Sequence, residues 1–426
     1  MPPPPIQLLP LATFTPDLYT RAWQSTPHPS LPLLATTHDK TVTVFSLATF
    51  SKHSSLTGGH SRSIRSCAWQ PSSSSQNLRL VTGSFDSTAG IWTYNPAATL
   101  EKPIGQGEEE EEEEEEWEFT LVLEGHENEV KSLSFSPSGQ YLATCSRDKS
   151  IWIWEHLSGG EDGEEDEDWE TVAVLSEHDG DVKTVAFAPG FKQGKRHDGR
   201  RYGSDCLASG SYDDTVRVWR EDQDGEWGCV SVLEGGVGTV WGVEWEKRER
   251  ENGRYQRLMT AGAEGGVKVW ELKEEEGEEE EGDSRWGGVP NRMRQSLREE
   301  WEVKGVLPRV HTREIYSVGW SGESGLVATT GGDGLLVVYE EDEETNEWKV
   351  RAKVEGAHGP YEVNHVTWCR RFDKGAEGRQ EEMLVTTGDD GVVRAWEVRI
   401  GEVIDAKFVP AFQSGTPEEG WYGTVV

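Results

Sequence analysis

Along the chain, short β-branched and aromatic runs alternate with clusters of Gly, Ser, Asp and Pro, and one arrangement of the two recurs. A turn-forming acid stands six residues before an aromatic, with a β-branched stretch between them. The pairs are Asp39/Phe45, Asp86/Trp92, Asp148/Trp154, Asp213/Trp219, Glu264/Trp270, Asp333/Tyr339 and Asp390/Trp396. Seven copies at one internal spacing mark a repeat, and runs of this length between turn residues predict strands. The copies begin 47, 62, 65, 51, 69 and 57 residues apart. A four-stranded propeller repeat needs only ~40–45 residues, so the excess predicts long insertions.

Most copies also carry a His upstream of the acid: Gly59-His60, Gly125-His126, Glu177-His178, His311 and Ala357-His358. This is the Gly-His…Trp-Asp type of signature found in WD-repeat propellers. The third copy shows the whole unit. Leu121–Leu123 reads as an outer strand, His126 as part of the following loop, and Val130–Phe135 as the innermost strand. Pro137-Ser138-Gly139 turns the chain into Tyr141–Ser146, and Asp148 turns it again into Ile151–Trp154. Such a sheet cannot bury its faces alone. The expected fold is therefore all-β, a seven-bladed β-propeller of WD40 repeats over residues 1–398. Leu8–Phe14 precedes the first inner strand and is expected to close the ring as the outer strand of the last blade. The fifth copy is degenerate, with Gly235-Gly236 where His is expected and Glu264 in place of Asp. The first lacks the His and ends in Phe45. Residues 399–426 carry no repeat signature and read as a tail.

A Ser-His-Asp arrangement in any one copy invites a catalytic reading, but a site is needed once and this pattern recurs. The expectation is a structural tetrad in each good copy, in which acid, loop His, strand Ser or Thr and Trp indole satisfy one another. It involves His60 and Asp86; His126, Asp148 and Trp154; His178, Asp213 and Trp219; His311 and Asp333; His358 and Asp390. A buried polar group left without a partner would cost roughly 1–3 kcal/mol, which explains why these residues recur together.

Charge then changes the picture. The chain has 42 Lys and Arg against 78 Asp and Glu, a formal charge of -36. Such acidity argues against broad binding to nucleic acid or anionic lipid. No run reaches the ~18 apolar residues of a membrane span, and the Pro-rich start, without a base, does not read as a targeting signal. The acidity is concentrated in Glu108–Glu118, Glu161–Glu170 and Glu271–Asp283, which hold 26 of the 36 net charges. These runs lie in insertions assigned to 95–118, 156–170 and 271–300, expected to be solvated and disordered. Five scattered cysteines without a C-x-x-C pair argue against a disulfide framework, a zinc site or a cluster site. No directly bound cofactor or metal is expected.

The acidic insertions follow Trp92, Trp154 and Trp270, joining third strands to fourth. Three base-rich ones, Phe191–Arg201, Lys247–Arg257 and Arg370–Arg379, join first strands to second. Both loop classes fall on one face, the bottom. The opposite face, the top, stays compact in every copy, as a docking surface would. Counting four residues back from the inner-strand aromatic gives rim positions Tyr19, Arg65, Lys131, Lys183, Trp241, Tyr316 and Asn364, with Arg147 in an adjacent turn. A basic arc of Arg65, Lys131, Lys183 and Arg147 beside Trp241 and Tyr316 suits an acidic peptide with a bulky apolar side chain.

The third copy goes beyond the generic repeat. Leu123-Glu-Gly-His-Glu-Asn-Glu-Val-Lys131 and Ala143-Thr-Cys-Ser-Arg-Asp-Lys-Ser-Ile-Trp-Ile-Trp154 closely resemble the WD-repeat subunit family of the cytosolic iron–sulfur protein assembly machinery. So do Ser209-Gly-Ser-Tyr-Asp-Asp-Thr-Val-Arg217, Thr239-Val-Trp241 and Glu314-Ile-Tyr316. The resemblance runs from Leu8 to Val398 and departs in the acidic insertions, the fifth copy and the tail. It implies a non-catalytic scaffold, cytoplasmic and also nuclear, that itself holds no cluster. The implied partners are a small protein of the MIP18 type, a HEAT-repeat targeting protein, an iron-only-hydrogenase-like carrier and apo iron–sulfur clients. Arg147 matches an exposed family arginine associated with function. The family is also similar in recognising client tails with an acidic residue and a terminal aromatic. The competing reading is another WD-repeat adaptor, in chromatin or signalling, since the propeller alone decides no function. An enzyme reading finds no phosphate loop, metal-spaced cluster or nucleophile elbow.

Overall fold

The computed structural model describes residues 4–71, 78–94, 117–157, 168–190, 205–222, 224–234, 238–248, 255–273, 298–342, 344–376 and 381–401. Its strands form seven four-stranded antiparallel sheets. The β-branched run after each turn acid is the third strand of a sheet, as in Ile151–Leu157, which pairs with Tyr141–Ser146 on one side and Asp168–Leu175 on the other. The alternation of apolar residues along these strands gives each sheet two apolar faces. Neighbouring sheets bury them against each other: Ala143, Cys145, Ile151 and Ile153 of blade 3 pack on Val182, Phe187, Leu207 and Trp219 of blade 4. Each fully buried side chain of this size contributes about 1.5–3 kcal/mol.

The ring closes through the N-terminal strand. Ile6–Thr13 pairs antiparallel with Val393–Ile400, with Ile6 opposite Ile400 and Leu8 opposite Val398, so the seventh sheet contains both ends of the described chain. The seam is apolar, with Phe14, Leu34 and Phe45 against Met383, Val385 and Val393.

Every inner strand carries a one-residue bulge after its first paired residue, between Ile64 and Ser66, Val130 and Ser132, Val182 and Thr184, Val240 and Gly242, Ile315 and Ser317, and Val363 and His365. The bulged residues are Arg65, Lys131, Lys183, Trp241, Tyr316 and Asn364. A bulge re-aims a side chain out of the ladder, and here it sets one residue per blade at the rim. In blade 1 the bulge lies between Ala22 and Gln24, so the rim residue is Trp23. This corrects the sequence count, which placed Tyr19 there. The inner strand of blade 1 ends in Pro27, in the position where other blades have Trp or Phe, so its aromatic Trp23 is the bulged residue itself. Tyr19 is exposed in the preceding loop.

Two fourth strands, Trp117–Leu123 and Asp168–Leu175, begin inside the stretches assigned to acidic insertions, and Trp301–Val306 begins directly after the third; each carries a buried Trp at or next to its start, Trp117, Trp169 and Trp301. Third strands likewise run on to Leu157 and Leu272. Most of the three acidic insertions lies outside the described residues, together with much of the base-rich ones, Gly235-Gly236 and the tail beyond 401. Among the described residues, no helix is long and apolar enough to cross a membrane.

Candidate functional site

Five blades contain one hydrogen-bond network. In blade 3, His126 Nδ1 lies 2.8 Å from Asp148 Oδ2 and His126 Nε2 lies 2.9 Å from Thr144 Oγ1. The Trp154 indole N–H donates to the same Thr144 oxygen at 3.0 Å. An indole only donates and a carboxylate only accepts, so the threonine hydroxyl donates to Nε2 and the ring carries its proton on Nδ1. The same chain joins His60, Asp86, Thr82 and Trp92 in blade 2. It joins His178, Asp213, Ser209 and Trp219 in blade 4, and His358, Asp390, Thr386 and Trp396 in blade 7. In blade 6, His311, Asp333 and Thr329 are completed by the Tyr339 hydroxyl.

Each acid also clamps its own turn. Asp148 accepts from the backbone N–H of Glu127 and Ser150 and from the Ser150 hydroxyl. Burial alone would raise these carboxyls, but the His and hydroxyl bonds hold Asp86 and Asp148 well below the carboxylate range. Asp213 is brought to about 2 in the same way, and Asp333 to about 2 by His311 and the backbone N–H groups of Thr312 and Leu335. In blade 5, among the described residues, only the Trp270–Thr260 bond of this network is present, at 3.0 Å.

The rim residues are linked by contacts to neighbouring blades, Arg65 and Lys131 to the preceding one and Lys183 and Trp241 to the following one. Arg65 lies over the Trp23 ring, 4.9 Å from its centroid, and Arg21 over the same ring at 4.8 Å. Lys131 lies 4.6 Å over Phe85. Lys183 lies 5.2 Å over Trp241 and 5.5 Å over Tyr212. Trp241 meets Tyr316 edge-on at 5.6 Å. Cations held on aromatic faces keep a defined position at little cost in solvation.

Most of the cations in the basic arc are paired with acids of the same face. Glu129 sits 2.6 Å from Lys131, 3.3 Å from Arg62 and 3.8 Å from Arg147. Asp181 sits 3.1 Å from Lys183 and 3.9 Å from Arg147. Both acids stand two residues before the bulge. Arg147, at distances too long for hydrogen bonds and with its side chain 54% exposed, is the most accessible of the four cations named from sequence. Beyond Tyr316 the rim turns acidic. The Tyr316 hydroxyl donates to Glu362 at 3.0 Å, and burial with that bond pushes it up to about 12. Asn364 is buried and spent on Ala22 O and Asp389. Sequence reasoning missed Trp23, Arg21 and Phe85. The one available signal was Pro27 in the slot where other inner strands end in an aromatic.

Cys67, Cys145, Cys206 and Cys369 are buried, and burial pushes Cys67 up to about 12 and Cys145 and Cys369 at least as far. Among the described residues, no group of three or more His, Cys, Asp or Glu could hold a metal ion.

A closed ring of seven four-stranded blades, five of them tied by the His–Asp network, defines a WD-repeat β-propeller. The WD domain, G-beta repeat family matches at residues 47–93, 117–155 and 169–220. Three fungal relatives, from Neurospora crassa, Chaetomium globosum and Pyricularia oryzae, are 57%, 56% and 51% identical. Each alignment covers 92% of this chain and 96%, 96% and 97% of the relative, and each relative carries the name probable cytosolic iron-sulfur protein assembly protein 1. The chain belongs to the cytosolic iron-sulfur protein assembly protein 1 family.

Proposed function

We propose that this chain is a non-catalytic scaffold of the cytosolic iron–sulfur protein assembly machinery, helping to deliver clusters to apoproteins by protein–protein docking. The observation that carries this reading is the 57% identity with an assembly protein over 92% of the chain, which spans blades, rim and turns alike. A propeller alone would leave the function open. The site's chemistry supports a binding role, since the repeated His–Asp groups are consumed in turns and four of the five cysteines are buried. The scaffold itself carries no cluster.

In this reading the chain works in the cytoplasm and also serves nuclear clients. It joins a small protein of the MIP18 type and a HEAT-repeat targeting protein, and contacts an iron-only-hydrogenase-like carrier. The arc formed by Arg65, Lys131, Arg147, Lys183, Trp241 and Tyr316 is the docking face for acidic segments of apo iron–sulfur clients. Affinity purification of the tagged full chain from its own cells tests this. Recovery of the MIP18-type protein together with apo iron–sulfur enzymes is expected, and recovery of neither contradicts it.

A further inference from the structure

The rim cations are unequal. Arg21 has Asp389 at 2.6 Å, Arg313 has Glu362 at 3.2 Å, and Arg62, Lys131, Arg147 and Lys183 share Glu129 and Asp181. Arg65 has no carboxylate within ion-pair distance among the described residues. It is nonetheless partly buried, spread on the Trp23 indole at the channel mouth, with Arg21 on the same ring. Lys131 and His365 feel its charge as well. A guanidinium withdrawn from water among like charges is costly unless an anion completes it. Burial and the nearby Arg21 already pull it down to about 10.

The surroundings repeat the deficit. Ser66 and His365 follow the bulged residues Arg65 and Asn364 on their inner strands. Among the described residues, Ser66 Oγ and His365 Nδ1 are buried without a hydrogen-bond partner. The hydroxyl can donate to an oxyanion, and so can a ring nitrogen that carries its proton. The mouth thus combines an unpaired fork-shaped cation with spare neutral donors, the chemistry that selects a planar, bidentate carboxylate over a point-like anion.

We infer that Arg65 is the carboxylate receptor of the top face: it takes the side-chain carboxylate of an Asp or Glu in a docked acidic peptide, while Lys131 and Lys183, already neutralised, only hold the arc in place. This rests on the reading of the top face as a docking surface. The full chain would be titrated calorimetrically with the capped peptide acetyl-Gly-Glu-Leu-Gly-amide, its Gln counterpart, and inorganic phosphate, with wild type and the variants Arg65→Gln, Arg65→Lys and Lys183→Gln. Thermal melting of each variant checks folding.

The expected result is that the Glu peptide binds wild type and the Gln peptide does not. Arg65→Gln should weaken binding about tenfold or more, as loss of a charge-assisted bidentate contact implies. Arg65→Lys should retain the packing on Trp23 and fall between, and Lys183→Gln should change affinity less than threefold. Equal binding by wild type and Arg65→Gln overturns the receptor role while leaving the docking surface standing. So does a larger loss from Lys183→Gln. Phosphate binding as tightly as the peptide, and depending on Arg65, overturns the peptide in favour of a small-anion site. No binding of the Glu peptide to wild type contradicts both the receptor and the docking face.

Discussion

The two faces of the propeller use the same residue types in opposite ways. On the bottom, arginines are sunk between acids. Arg257 bonds Glu246 at 2.9 Å and Glu341 at 2.6 Å, with its side chain 11% exposed, and lies 5.1 Å over Trp320. Arg220 is held by Glu299 and Asp205 over Tyr255, and Arg371 by Asp373, Glu381 and Glu397. These guanidiniums bridge segments far apart in the chain, and their charge is used up inside the protein. On the top, four cations share two carboxylates, one has none, and aromatic faces hold three of the five in position. A latch saturates its charge, whereas a docking face keeps some in reserve.

The largest effect that should separate the faces is on stability. Arg257→Ala leaves two carboxylates uncompensated at the seam between blades 5 and 6 and should cost about 3–5 kcal/mol in chemical denaturation. Arg147→Ala removes a rim cation whose side chain is 54% exposed and should cost less than about 1 kcal/mol. Comparable losses would erase the distinction between latch and rim.

A smaller effect should appear with pH. Burial, then the charges of Arg65 and Lys247, lowers His365 to about 3. Its folded value lies below the unfolded one of ~6.5, so the folded chain binds fewer protons in between. Its contribution to stability is therefore complete above pH ~6.5 and is lost as pH falls toward 3. Removing the charge with Arg65→Gln should raise the His365 titration midpoint in NMR, because a like charge has gone while burial persists. An unchanged midpoint would mean that Arg65 does not face the channel.

Much of this was legible in the sequence, and the rest was hidden for physical reasons. The six-residue spacing of Asp148 and Trp154 repeats because the tight turn and the antiparallel register allow no other, so the fold and the networks could be read directly. The rim index worked wherever the inner strand ends in an aromatic, and failed in blade 1, where Pro27 holds that place. Glu129 and Asp181 were in plain view two residues before the bulge, but their pairing with Lys131 and Lys183 needed the bulge to bring the side chains together. The Trp that opens the fourth strands, at Trp117, Trp169 and Trp301, was masked by the acids before it. Arg257 could not be read at all, since its partner Glu341 is 84 residues away.

The central claim is that partners dock on the top arc, and two charge reversals compared in one capture experiment test it most directly. Arg147→Glu changes the most exposed of the four top cations named from sequence, and Lys349→Glu a similarly exposed cation beside Asp342 on the outer strand of blade 6. Capture of apo iron–sulfur clients by the tagged full chain should fall at least tenfold with Arg147→Glu and stay within twofold of wild type with Lys349→Glu, while both variants melt with wild type. Clients retained by Arg147→Glu but lost with Lys349→Glu would contradict it and move docking off the top face.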